Sequence, residues 1–121
     1  HSNACEYARI ALAVWRAKRE IGPVFDDWMF GPELPPSPAV ARAEAIRLVG
    51  SNAFVQAQSD PWIQGQLDLS MRLFATNRAR YRKSSLPQLM IGSSLVSGVI
   101  GSNQLERMLG GISAETNGAP K

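Results

Sequence analysis

Four prolines fall within the seven residues Pro32-Glu33-Leu34-Pro35-Pro36-Ser37-Pro38. Proline fixes φ and lacks an amide hydrogen, so neither a helix interior nor a central strand can run through this stretch. The chain is therefore built from elements on either side of an extended connector, residues 31–38. The same run ends in a helix start, with Ser37 as cap residue and Pro38 at the first helical position. Its spacings Pro32–Pro35 and Pro35–Pro38 also have the P-x-x-P form that docks in SH3-type grooves. Composition favours the stiff connector over the docking peptide.

On the N-terminal side, residues 4–21 are alanine-rich and free of glycine and proline, which predicts a helix. Asn3 and Glu6 have capping-box spacing. Tyr7, Ile10, Ala11, Val14 and Trp15 fall on one face at helical period. Arg16, Lys18 and Arg19 suit the negative end of the helix dipole, and Gly22-Pro23 reads as the stop. Residues 24–30 are too short to assign between a single helical turn and an extended arm.

On the C-terminal side, residues 38–58 predict a second helix with a small-residue stripe through Ala41, Ala45, Leu48, Val49 and Ala53. Gly50 weakens its middle and leaves room for a kink or break near Gly50-Ser51 within that one helix. Ser59-Asp60-Pro61 repeats the start signal for a third helix, residues 61–83. Ile63, Leu67, Ser70, Met71 and Phe74, broadened by Trp62, Leu69 and Leu73, predict a central helix touched on two sides. Asp68 and Arg72, four apart, are placed to pair on its exposed side.

The end of that helix changes character. Arg78, Arg80, Tyr81, Arg82 and Lys83 put four positive charges and an aromatic ring within six residues. Cations favour a helix C-terminus, which accounts for part of this. The same group, with Arg72, also has the chemistry of an anion or nucleic-acid contact: guanidinium forks for phosphate and a ring for base stacking.

Residues 84–105 then carry no charge at all. Ser93/Ser97/Gly101 and Ser94/Gly98/Ser102 form two small-residue tracks at four-residue spacing, which lets helix backbones approach closely in protein or in lipid. The expected self-association or membrane contact is Gly92, Ser94, Leu95, Val96, Gly98, Val99, Ile100 and Gly101. Two short strands, 89–91 and 95–96, joined through Gly92-Ser93-Ser94, are the second reading of this segment. A helix-turn-helix over residues 90–109 is rejected, because polar residues would fall where buried apolar ones are needed. Residues 103–109 predict a short last helix closed by Gly110-Gly111, and residues 113–121 a flexible tail.

The expectation is thus an all-α fold: three main helices at about 4–21, 38–58 and 61–83, the apolar segment 84–105 and a short C-terminal helix. Length allows one domain, residues 1–112. A formal charge of +3 permits an acidic partner without requiring one. Cys5 is the single cysteine, so no internal disulfide forms, which suits a reducing compartment or an assembled particle. The sequence starts at His1 with no signal segment, as a processed product or a piece of a longer chain does.

Catalytic signals are weak. His1 is the one histidine, which removes serine- or cysteine-histidine nucleophile systems within the chain. His1 and Cys5 are too few for a metal site. Asp26, Asp27 and Glu33 are candidate paired carboxylates but read better as solvated or capping acids. No phosphate-loop pattern is present. No enzyme activity, cofactor, metal or small-molecule substrate is inferred. The function expected is a non-catalytic assembly component, packing on copies of itself or on subunits of a larger machine of virion, secretion or conjugation type. A membrane-engaging form of that role rests on the same segment. The alternative is a nucleic-acid or acidic-surface binder led by residues 78–83.

Overall fold

The computed structural model describes residues 3–118. The described residues are mostly helical, with six α-helices and one small two-stranded sheet among them. In order these are α1 (Ala4–Ala17), a 3-10 turn (Arg19–Ile21), α2 (Gly22–Phe30), α3 (Pro38–Val49), α4 (Ser51–Gln58), α5 (Pro61–Tyr81), β1 (Gln88–Ile91), β2 (Ser94–Ser97) and α6 (Ser102–Gly118). Two compact units divide the chain, His1–Ser70 and Met71–Lys121.

The first unit is built around α1, which packs against α2, α3 and α4. Its core is Ile10, Ala13 and Val14 of α1, Phe25 and Met29 of α2, and Ala41, Ala45 and Val49 of α3. Phe54 and Ala57 of α4 and Ile63 of α5 complete it. Ala41, Ala45 and Val49 recur every fourth residue, so the buried face of α3 is nearly flat and admits α1 closely. The proline-first starts form as expected: Ser37 Oγ accepts from Val40 N at 3.3 Å, and Asp60 Oδ1 accepts from Trp62 N at 2.9 Å.

Three local readings are corrected here. Asn3 makes no side-chain cap bond; its φ of −95° and ψ of 0° depart from the extended geometry that points a cap side chain at the first amides. The first helix ends at Ala17, where Lys18 turns extended with φ −147° and ψ 97°. Gly22-Pro23 opens α2 instead of closing α1. The cause is tertiary. The Trp15 indole lies directly on Gly22, and its Nε1 donates to Asp26 Oδ2 at 3.0 Å, pinning α2 to α1. Gly50, at φ 91° and ψ 147°, makes the break between α3 and α4 that glycine allows.

α5 departs from expectation along its length. Ile63 is buried and Leu67 half-buried, but Leu69, Met71 and Leu73 are 43%, 70% and 54% exposed. Beyond Leu67 only Phe74 of its wide apolar arc is even half-buried, so it is not a helix enclosed on two sides. Asp68 accepts from Gln64 Nε2 at 2.7 Å, and forms no ion pair with Arg72 among the described residues. The helix stops at Tyr81 because Arg82 enters the left-handed region at φ 54°, a conformation that ends α-helices.

In the second unit, residues 88–97 form an antiparallel hairpin in which Leu89 pairs with Val96 and Met90 with Leu95. Gly92, at φ 58°, takes the first turn position, where a tight hairpin favours glycine. The small-residue tracks therefore do not line a helix face: Ser93 is in the turn, Ser97 ends β2 and Ser102 opens α6. The β-branched Ile91 and Val96 on either side of a glycine-serine turn favour strands. α6 passes through Gly110-Gly111 to Gly118, although each glycine weakens a helix by about 1 kcal/mol. The end of the expected tail, residues 119–121, lies outside the described residues.

Candidate interaction surface

The basic end of α5 and the hairpin form one surface, which their separation in sequence does not announce. Asn77 Nδ2 donates to Gln88 Oε1 at 3.2 Å, and Gln88 Nε2 donates to the Lys83 carbonyl at 3.3 Å. The Lys83 ammonium donates to the Leu95 carbonyl at 2.9 Å. Ser97 Oγ donates to the Ser85 carbonyl at 2.8 Å, and Gly98 N to the Pro87 carbonyl at 2.8 Å. Gln88 is the residue whose polarity within an apolar run could have signalled this.

These bonds divide the expected anion-contact residues. Lys83 is occupied within the fold. Tyr81 is half-buried, with the Arg80 guanidinium 5.6 Å from its ring centre, so one ring face already has a cation on it. Arg82 has left the helix, so it no longer continues the row of helical arginines. Arg72, Arg78, Arg80 and Arg82 are exposed and make no ion pair among the described residues. Charge is also divided between the units. Residues 71–121 carry seven basic residues against Glu106 and Glu115, whereas residues 1–70 carry six against eight acids.

The expected self-association residues divide as well. Leu95 is 7% exposed and belongs to the hairpin's own packing, which removes it from a contact surface. Val96, Gly98 and Ile100 are half-buried; Gly92, Ser94 and Gly101 are exposed. Val99 is 91% exposed and Leu86 70%. Between the turn Gly92–Ser94 and Arg107, Met108 and Gly111 of α6 lies a cleft of about 200 Å³.

Sequence reasoning missed a second feature, in the first unit. Trp15, Arg16, Arg19 and Trp62 line an open groove of about 450 Å³. Arg16 pairs with Asp60 at 2.8 Å and lies 5.7 Å from the centre of the Trp62 ring. Bonds from the Trp62 amide and from Arg16 hold the Asp60 carboxyl below its ordinary value. Both tryptophans read as core positions in the sequence. Arg16 and Arg19, just after Trp15 in the sequence, were the available signal.

Of the candidate acids, Asp26 is engaged by Trp15, while Asp27 and Glu33 are exposed. Cys5 is exposed, and His1 lies outside the described residues. Among the described residues no group of three metal-ligating side chains occurs, and no helix is long and apolar enough to cross a membrane. Comparison with protein-family models, curated proteins and solved structures returns no match.

Proposed function

We propose that the protein is a non-catalytic assembly component, packing on copies of itself or on subunits of a larger machine through the hairpin and the outer face of α5. One observation carries this reading. Between Met71 and Gly111 only Ile91 and Leu95 are buried apolar side chains, while Met71, Leu73, Leu86 and Val99 are more than half exposed. Ile91 and Leu95 also lie on opposite faces of the hairpin, by strand alternation, so neither face builds a core. An apolar surface left this open marks a contact with another molecule. Light scattering across concentration, with and without detergent, tests it. Mass should rise with concentration, and Val99→Asp with Leu86→Asp should lower it. A wild-type monomer at all concentrations, with no binding to liposomes or to a co-purifying subunit, would sink the reading.

A second reading, nucleic-acid binding, is favoured by the exposed arginines and the positive balance of residues 71–121. Retention of duplex or single strands should fall steeply with salt, as counterions are released at each phosphate contact. Replacing Arg72, Arg78, Arg80 and Arg82 with glutamine should abolish it. No retention by the wild type at low salt would remove this alternative.

A further inference from the structure

We propose that the groove between Trp15 and Trp62 seats the proline connector of a second copy of this chain, so that copies join head to tail. This rests on the assembly reading and names a contact for it. The groove has the chemistry that recognises a proline segment: the Trp62 ring, with Arg16 on one side of it, for a proline ring and its N–H for a carbonyl. Trp62 is 37% exposed, and its Nε1 has no hydrogen-bond partner among the described residues. Trp15 Nε1 is already taken by Asp26, so the free indole donor is that of Trp62.

The connector has the matching features. Residues 31–34 bend instead of running extended as expected, and only 35–37 are free of bends and helix; residues 31–35 are exposed, with Leu34 80% exposed between Glu33 and Pro35. Proline removes amide donors and leaves the carbonyls free to accept. Tyr7 Oη donates to the Pro36 carbonyl at 2.6 Å, which anchors one end of the segment and lowers the entropy lost on docking. Charge complements as well. Asp60 answers Arg16, leaving Arg19 exposed in the groove without an ion pair among the described residues. Glu33 of the connector is likewise exposed and unpaired among the described residues.

Topology makes the contact intermolecular. Tyr7 and Trp15 are eight residues apart on α1, about 12 Å along its axis, and the groove is lined by none of its own connector residues. One copy thus offers the connector near one end of α1 and the groove near the other. Two different faces meeting in this way form a heterologous contact, which builds rings or open chains.

Charge exchange on the full chain tests this without touching the core. Arg19→Glu and Glu33→Arg each place like charges in the contact. Each variant alone should associate more weakly than wild type by roughly twofold to fivefold. An equal mixture of the two should recover wild-type mass, because every connector then finds a groove of opposite charge. A peptide of residues 31–38 should quench or shift wild-type tryptophan fluorescence, and Trp62→Ala should weaken its binding roughly thirtyfold or more, as loss of a buried aromatic anchor does. Three results would overturn the proposal: variants that associate as wild type does, a mixture no better than its parts, or a peptide that does not bind. Association lost with Val99→Asp and Leu86→Asp but untouched by these changes would overturn it while leaving the assembly reading standing.

Discussion

The Lys83 ammonium donates a 2.9 Å hydrogen bond to the Leu95 carbonyl, tying the basic end of α5 to the middle of β2. Lys83 is thereby a structural residue of the hairpin, unlike its exposed neighbours Arg78 and Arg82. Lys83→Met should cost about 1 kcal/mol locally, the usual net worth of such a bond. Amide exchange within residues 88–97 should then accelerate roughly fivefold. Arg78→Gln should leave exchange in the hairpin unchanged. Equal exchange in both variants would show that Lys83 is as free as the arginines.

Gly22 and Gly65 predict opposite responses to the same added methyl group. A β-carbon on Gly22 would collide with the Trp15 indole, which closes over it. Gly22→Ala should therefore cost about 1–3 kcal/mol, as overpacking does. Gly65 sits inside α5 with nothing within 4 Å of the added carbon. Gly65→Ala should stabilise by about 0.5–1 kcal/mol through helix propensity. Thermal melts that move both variants in the same direction would contradict the packing described for Trp15.

Acid should weaken the first unit through Asp60. Its carboxyl lies below the ordinary 3.8, first because it accepts from the Trp62 amide and next because it accepts from Arg16. The unfolded chain therefore binds this proton more readily than the folded one. The contribution of Asp60 is present above the ordinary value and is lost as pH falls through the folded one. Asp60→Asn keeps an acceptor for the amide but cannot titrate, so its melting temperature should vary less with pH across the acid range. An equally steep acid slope in the variant would show that other carboxylates carry it.

Those features were legible in sequence that depend on neighbours a few residues away. Ser37-Pro38 and Asp60-Pro61 start helices because cap and proline act within one turn, and the break at Gly50 follows from its backbone freedom. Gly22-Pro23 misled because the contact that decides it comes from Trp15. Residues 84–105 fit both a helix with small-residue tracks and a hairpin. The hydrogen bonds from Gly98 to Pro87 and from Lys83 to Leu95 belong to the hairpin and are not written in spacing. Periodicity marked the apolar arc of α5 but not what covers it, so the exposure of Met71 and Leu73 was hidden. The arginine cluster was visible as composition. The Trp15–Trp62 groove was not, since it joins residues forty-seven positions apart.

Gly98 and Val99 are adjacent, yet they separate fold from contact. Gly98 has φ 92°, so any side chain there is strained although the space around it is open. Gly98→Leu, which would be a clean probe of close packing on a helix, instead strains the hairpin by about 1–2 kcal/mol. Both hairpin protection and association should fall with it. Val99 is 91% exposed and contributes little to the folded chain, so Val99→Ser should leave melting temperature within the small range of surface changes. If the hairpin face is a contact, the same change removes apolar area at about 25 cal/mol per Å² and weakens association alone. Sedimentation of Val99→Ser beside wild type decides between the two roles. Unchanged association with unchanged stability would make Val99 an ordinary exposed residue and move the contact to Met71 and Leu73 on α5.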